Sequence, residues 1–148
     1  MENFLIDTNV LIYAINNDSE FHQSSRKLFE TALNNDLNFF VSINNLLEFF
    51  AIVTDNKRVQ NPLTPNQARE VINIISESKI KIIHADIVAL NKTLEIAVEL
   101  QKSKQVIFDF LIAAIMISND IKNIITYNTK DFKSIAQIKT YKPEDVDL

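Results

Sequence analysis

Short apolar runs alternate with stretches of helical period along the whole chain, and that order leaves few ways to fold it. NFLI at 3–6, NFFVS at 38–42, KIKIIHA at 79–85 and NIIT at 123–126 read as strands, with QIKTY at 137–141 a candidate fifth. Helices are predicted between them. Thr8 or Asn9 can cap one that runs through Ile15. Residues 20–34 set Phe21, Leu28, Phe29, Ala32 and Leu33 on one helical face. Ser42 can cap INNLLEFFAIVT, and Thr64 followed by Pro65 starts another helix. Asp86 can cap IVALNKTLEIAVELQKS, and residues 109–119 form a strongly apolar helix. Strands that alternate with helices join through crossovers, so the predicted class is α/β with a mostly parallel sheet. No linker or repeat divides the 148 residues, which predicts one domain over 1–148.

Three absences narrow the chemistry. Without cysteine there are no disulfides, thiolate metal sites or thiol nucleophiles. The two histidines, His22 and His84, have no ligand-like spacing. Glycine is missing altogether, where average usage would supply about ten. That removes Gly-rich phosphate loops. It also leaves positive-φ turns to Asn and Asp, as in the NND at 16–18 and 34–36 and the ND at 119–120. The net charge of −4 speaks against a broad basic nucleic-acid footprint, though not against an acidic pocket neutralised by metal ions. The start, MENF, lacks the basic character of a signal peptide, and VIFDFLIAAIMIS is too short to span a membrane. A soluble, cytoplasmic protein is expected.

Acids recur where the strands end. Asp7 follows the first strand, Asp131 the fourth by a few residues, and Asp109 opens the apolar helix before the fourth. Glu48 lies one to two turns into the helix after the second strand, among Leu46, Leu47, Phe49 and Phe50. Taken singly, each has a plain structural role. Asp7 and Asp109 serve as helix caps or first-turn acids, Glu48 as a solvated helix residue, and Asp131 as a turn residue. Taken together they fall at one edge of a parallel sheet, where ligands bind. Clustered carboxylates repel, and a hard divalent cation such as Mg²⁺ or Mn²⁺ relieves that repulsion.

FLIDTNVLIYA, NNLLEFF, FDFLIAAIM and IITYNTKDF, in this order and near these spacings, resemble the PIN-domain ribonucleases, with the VapC-like toxins of toxin–antitoxin pairs the nearest group. The resemblance spans essentially the whole chain and implies a three-layer α/β/α sandwich around a mostly parallel sheet. It places Asp7, Glu48, Asp109 and Asp131 at the family's acidic catalytic and metal positions, with Mg²⁺ or Mn²⁺ as cofactor. Asn9, Thr126 and Asn128 fall at its supporting polar positions. Phe108 departs from the pattern, since many relatives carry a small or polar residue before the third acid.

The implied reaction is metal-assisted hydrolysis of an RNA phosphodiester to 5′-phosphate and 3′-hydroxyl products. Lys57, Arg58, Lys102, Lys104, Lys130 and Lys133 are candidate phosphate contacts, although any one of them is more simply a solvated cation. Two other readings stay open. One is an aspartate-nucleophile phosphatase, against which stands Asn9 where a second Asp is usual. The other is a non-catalytic acidic pocket that docks a basic peptide. The expected partners are RNA, a small antitoxin with a basic or amphipathic segment, and a second copy of the chain. The dimer is expected from apolar side chains in excess of one buried face, notably Phe49, Phe50, Phe110 and Met116.

Overall fold

The computed structural model describes residues 2–148. Five strands form one sheet, parallel throughout: β1 (Asn3–Ile6), β2 (Asn38–Ser42), β3 (Lys81–Ile83), β4 (Asn123–Ile125) and β5 (Lys139–Tyr141), in the order β3-β2-β1-β4-β5. Seven α-helices accompany them among the described residues: α1 (Thr8–Ile15), α2 (His22–Asn34), α3 (Ile43–Val53), α4 (Pro65–Ser76), α5 (Ile87–Leu100), α6 (Ile107–Ser118) and the single turn α7 (Thr129–Phe132).

β1 sits at the centre and is buried on both faces, which explains its unbroken apolar run. Strand alternation divides its side chains. Phe4 and Ile6 pack with Val10, Leu28, Phe39 and Phe49 in a core under α1–α4. Leu5 faces the other way, into a core with Phe110, Met116, Ile124 and Phe132 under α5–α7. The result is the three-layer α/β/α sandwich that the resemblance implied, with a sheet wholly rather than mostly parallel.

Local signals hold at most helix starts. Ser42 and Thr64 both form capping boxes, with Asn45 and Gln67 as reciprocal partners, and Asp86 caps α5. Several boundaries differ from expectation. Of the three residues the sequence offered as cap of α1, Asp7, Thr8 and Asn9, the structure uses Asp7, which keeps the extended backbone of the strand while its Oδ1 accepts from the Thr8 N–H. The helix expected at 109–119 starts at Ile107, so Asp109 lies inside its first turn and is not its cap. β3 is three residues long, shorter than the 79–85 run. Positive φ falls at Asp120, as expected for an Asn/Asp position, but also at Gln101 and Lys104. The Asn-rich segments after α1 and α2 end their helices with extended backbone at Asn16 and Asn35, so neither needs a left-handed residue.

The source of the expected apolar surplus is also corrected. Phe49 of α3 is fully buried in the core under α1–α4, and Phe110 and Met116 are fully buried because α6 is enclosed between the sheet and α5. α5 carries the largest group of exposed apolar side chains, with Ile87 67% and Val98 68% exposed beside Val88, Leu90 and Leu94, while α3 exposes Ile43 and Leu47. Phe110→Ala is therefore expected to lower the unfolding free energy by about 3–5 kcal/mol in denaturant titration, the cost of a large cavity in a core. A change confined to oligomeric state would contradict that burial.

Candidate active site

The order of the strands changes direction at β1, with β2 on one side and β4 on the other, so the crevice between the ends of β1 and β4 is the topological switch point. Asp7 lies there. Its N–H continues the ladder to the Ile125 carbonyl at 3.0 Å. Its side chain is buried and surrounded by donors. Oδ1 accepts from the Thr8 N–H at 2.8 Å and from Asn45 Nδ2 at 3.4 Å. Oδ2 accepts from the Thr126 hydroxyl at 2.8 Å and from Asn9 Nδ2 at 3.1 Å.

The directions of these bonds follow from which groups can only donate. The Tyr127 N–H reaches Asn9 Oδ1 at 3.1 Å, which fixes the orientation of the amide. Asn9 Nδ2 and the Asn128 N–H both donate to Thr126 Oγ1, each at 3.0 Å. The Thr126 proton is therefore left to point at Asp7. A matching arrangement serves Glu48. Its Oε2 accepts from the Thr8 hydroxyl at 2.9 Å, and Thr8 in turn accepts from Asn45 Nδ2 at 3.0 Å.

A cavity of about 640 Å³ opens over these residues. Asp7 and Asn9, Glu48 from α3, Asp109 from α6, Arg58 and Asn128 all line it. Phe108 stands on its wall and is 60% exposed. Thr126 is buried behind Asp7. Asp131, on α7, is exposed and does not line the cavity, but its charge reaches Asp109. Lys57, Lys102, Lys104, Lys130 and Lys133 are exposed and lie off the cavity wall, so among the cations singled out from sequence the fold brings in Arg58.

Burial pushes Asp7 up to about 6. The hydrogen bonds from Thr126, the Thr8 N–H and Asn9 oppose that rise, and the charge of Glu48 adds to it. Asp109 is also pushed up to about 6, first by desolvation and then by the charges of Asp131, Asp7 and Glu48. These are oxygen donors held in mutual repulsion, which is the chemistry that suits a hard divalent cation. No three His, Cys, Asp or Glu among the described residues are drawn into a ready-made metal cage. A cation that keeps several of its waters and takes one or two carboxylates, as Mg²⁺ commonly does, fits such an open set.

The sequence points to Thr8 only as a helix cap and does not single out Asn45, so neither reads as a site residue. Both had a signal: Thr8 adjoins the first acid, and Asn45 is the third residue after a capping serine, where a side chain turns back toward the helix start.

The PIN-domain family profile matches residues 4–138, and the chain belongs to the PIN-domain family. Solved structures share the fold at low identity. The Mycobacterium tuberculosis VapC20 toxin, described as sarcin–ricin loop cleaving, is 14% identical with a TM-score of 0.68, over 90% of this chain and 95% of its own. VapBC2 from Rickettsia felis, bound to a promoter DNA fragment, is 21% identical with a TM-score of 0.66, over 94% and 97%. VapBC-1 from nontypeable Haemophilus influenzae is 16% identical with a TM-score of 0.67, over 95% and 98%. No curated protein sequence matches the chain. No helix among the described residues is long and apolar enough to cross a membrane.

The raised Asp7 sets the sign of a pH dependence. The folded state holds its proton up to about pH 6, whereas the unfolded chain releases it near 3.8. Between those values the folded state binds more protons, so stability is greatest at low pH and falls as pH rises through 6. Raising the carboxyl from 3.8 to about 6 corresponds to about 3 kcal/mol. The half-buried Asp109 acts in the same direction. Metal-free protein is expected to be more stable at pH 5 than at pH 7.5 in denaturant titrations, with a shallower slope in Asp7→Asn. A stability that rises over that range would refute the assignment.

Proposed function

We propose that the chain is a divalent-metal-dependent ribonuclease that serves as the toxin of a toxin–antitoxin pair. The observation that carries this is the meeting of Asp7, Glu48 and Asp109 in one cavity at the switch point of a PIN-domain sheet. The fold likeness to a toxin described as cleaving the sarcin–ricin loop supports RNA as substrate. Asp7, Glu48 and Asp109 are the residues that would hold Mg²⁺ or Mn²⁺, with Asp131 adding negative charge from outside the cavity. A bound divalent ion would supply Lewis acidity for phosphodiester hydrolysis.

The chain's own groups do the positioning. Asn9 and Thr126 hold the Asp7 carboxylate toward the crevice, and Asn128 contributes its N–H to Thr126. Arg58 offers a cation on the cavity wall for a phosphate oxygen. Phe108 presents an exposed ring beside Asp109 on which an unpaired base can stack. A non-catalytic pocket that only docks a basic peptide is favoured less, since docking does not need a carboxylate buried at the sheet edge and held by four donors, as Asp7 is.

Two protein partners belong to the proposal. The antitoxin is a small protein that offers a basic or amphipathic segment to the acidic cavity. The other partner is a second copy, docked through α5. Ile87, Leu90, Leu94 and Val98 form an exposed apolar stripe along one face of α5. Antiparallel pairing about a two-fold axis near Leu94 would lay this stripe against its own copy, so the face can complement itself.

Parent protein is expected to cleave single-stranded RNA with Mg²⁺ or Mn²⁺ and not with EDTA. Asp109→Asn is expected to lose cleavage and most metal-induced thermal stabilisation. Its metal-free melting temperature should stay level or rise, because a charge repelled by Asp131, Asp7 and Glu48 is gone. A sharply lower metal-free melting temperature would make Asp109 a structural residue, and undiminished cleavage would move the site elsewhere. For assembly, light scattering at micromolar concentration should report a dimer for the parent and a folded monomer for Leu94→Glu. A parent that is monomeric would rule out the α5 interface.

A further inference from the structure

We infer that Asn45 is a positioning residue: acting through the Thr8 hydroxyl, it holds the Glu48 carboxylate in place at the cavity. Glu48 is solvent-exposed, and an exposed glutamate with three side-chain torsions ordinarily samples many rotamers. Here it accepts the Thr8 proton at 2.9 Å, and that proton's direction is decided two residues away.

Asn45 is fully buried. Its Oδ1 accepts from the Ser42 N–H at 3.1 Å and from the Ser42 hydroxyl at 2.7 Å. A backbone N–H can only donate, so the amide cannot be turned over without setting donor against donor. Nδ2 must then face away from Ser42. It donates to Thr8 Oγ1 at 3.0 Å and leans toward Asp7 Oδ1 at 3.4 Å. With an obligate donor on its oxygen, the Thr8 hydroxyl has its own proton free for Glu48. The capping box of α3 is thus also the anchor of the site, and it ties the start of α3 to the first residue of α1. The effect on metal binding rests on the nuclease proposal above; the ordering of Glu48 does not.

Asn45→Asp is the sharp variant. It keeps both acceptor bonds from Ser42 but replaces the donor facing Thr8 with an acceptor, which turns the Thr8 proton away from Glu48. Thr8→Val removes the hydroxyl at nearly constant shape, and Thr8→Ser restores it. Side-chain NMR couplings of Glu48 in metal-free protein should show one rotamer in the parent and in Thr8→Ser. They should show averaging in Thr8→Val and Asn45→Asp. Mn²⁺ affinity by titration calorimetry should fall about tenfold or more in Thr8→Val, as for other residues that orient a metal ligand, and recover in Thr8→Ser. Thr8→Val should cost nothing further in a Glu48→Ala background. Averaging of Glu48 in the parent, or a single rotamer retained in both variants, would overturn the inference, as would full additivity with Glu48→Ala. If Thr8→Val does not fold, Asn45→Asp and the parent couplings decide. A parent with an ordered Glu48 that neither binds Mn²⁺ nor cleaves RNA would remove the nuclease proposal and leave the positioning role standing.

Discussion

A carboxylate buried at the end of the central strand is the constraint on which the rest of this structure turns. Asp7 interrupts two segments that both need burial, and isolating its charge from water is costly. The fold answers with four donors, contributed by α1, by the segment after β4 and by α3. The Thr8 and Asn9 donors are local, but those of Asn45 and Thr126 can be supplied only once the three pieces of chain stand side by side. The donors do not cancel the desolvation, since Asp7 remains raised to about 6. The remaining imbalance is what a cation in the cavity would relieve.

Two asparagines set the direction of the hydrogen bonds. Asn9 is fixed by the Tyr127 N–H and aims Thr126 at Asp7. Asn45 is fixed by Ser42 and aims Thr8 at Glu48. In each case a backbone N–H settles the orientation of an amide, the amide settles a hydroxyl, and the hydroxyl settles a carboxylate. Side chains that are flexible on their own become ordered because the chain of donors begins on the rigid backbone.

The apolar surface follows a separate logic. α6 is apolar on nearly every side because it is enclosed by the sheet and α5, and its Phe110 and Met116 complete a core. α5 covers α6 with one face, through Ala89, Thr93 and Ile96, and leaves a second apolar face bare. Composition alone cannot distinguish the two helices. An all-round apolar helix and a helix with a spare face are both rich in Ile, Leu and Val, and the difference is which neighbours enclose them.

The sequence alone settled the α/β class and the capped starts of α3, α4 and α5, because those signals lie within a few residues of one another. It also marked Asp7, Asn9, Glu48, Asp109, Thr126 and Asn128, through their places at strand ends and their likeness to a family pattern. Tertiary structure decided what depends on residues far apart in the chain. It made Asp7 rather than Thr8 the cap of α1, because Asp7 prolongs the β1 ladder to Ile125. It put Asp131 outside the cavity and Arg58 on its wall, and it moved the exposed apolar face from α6 to α5. Asn45 meets Thr8 only because β1 and β2 pair in parallel and bring the starts of α1 and α3 together at one end of the sheet. Local sequence encodes where an element begins and which of its faces is apolar; pairing across the sheet encodes what that element meets.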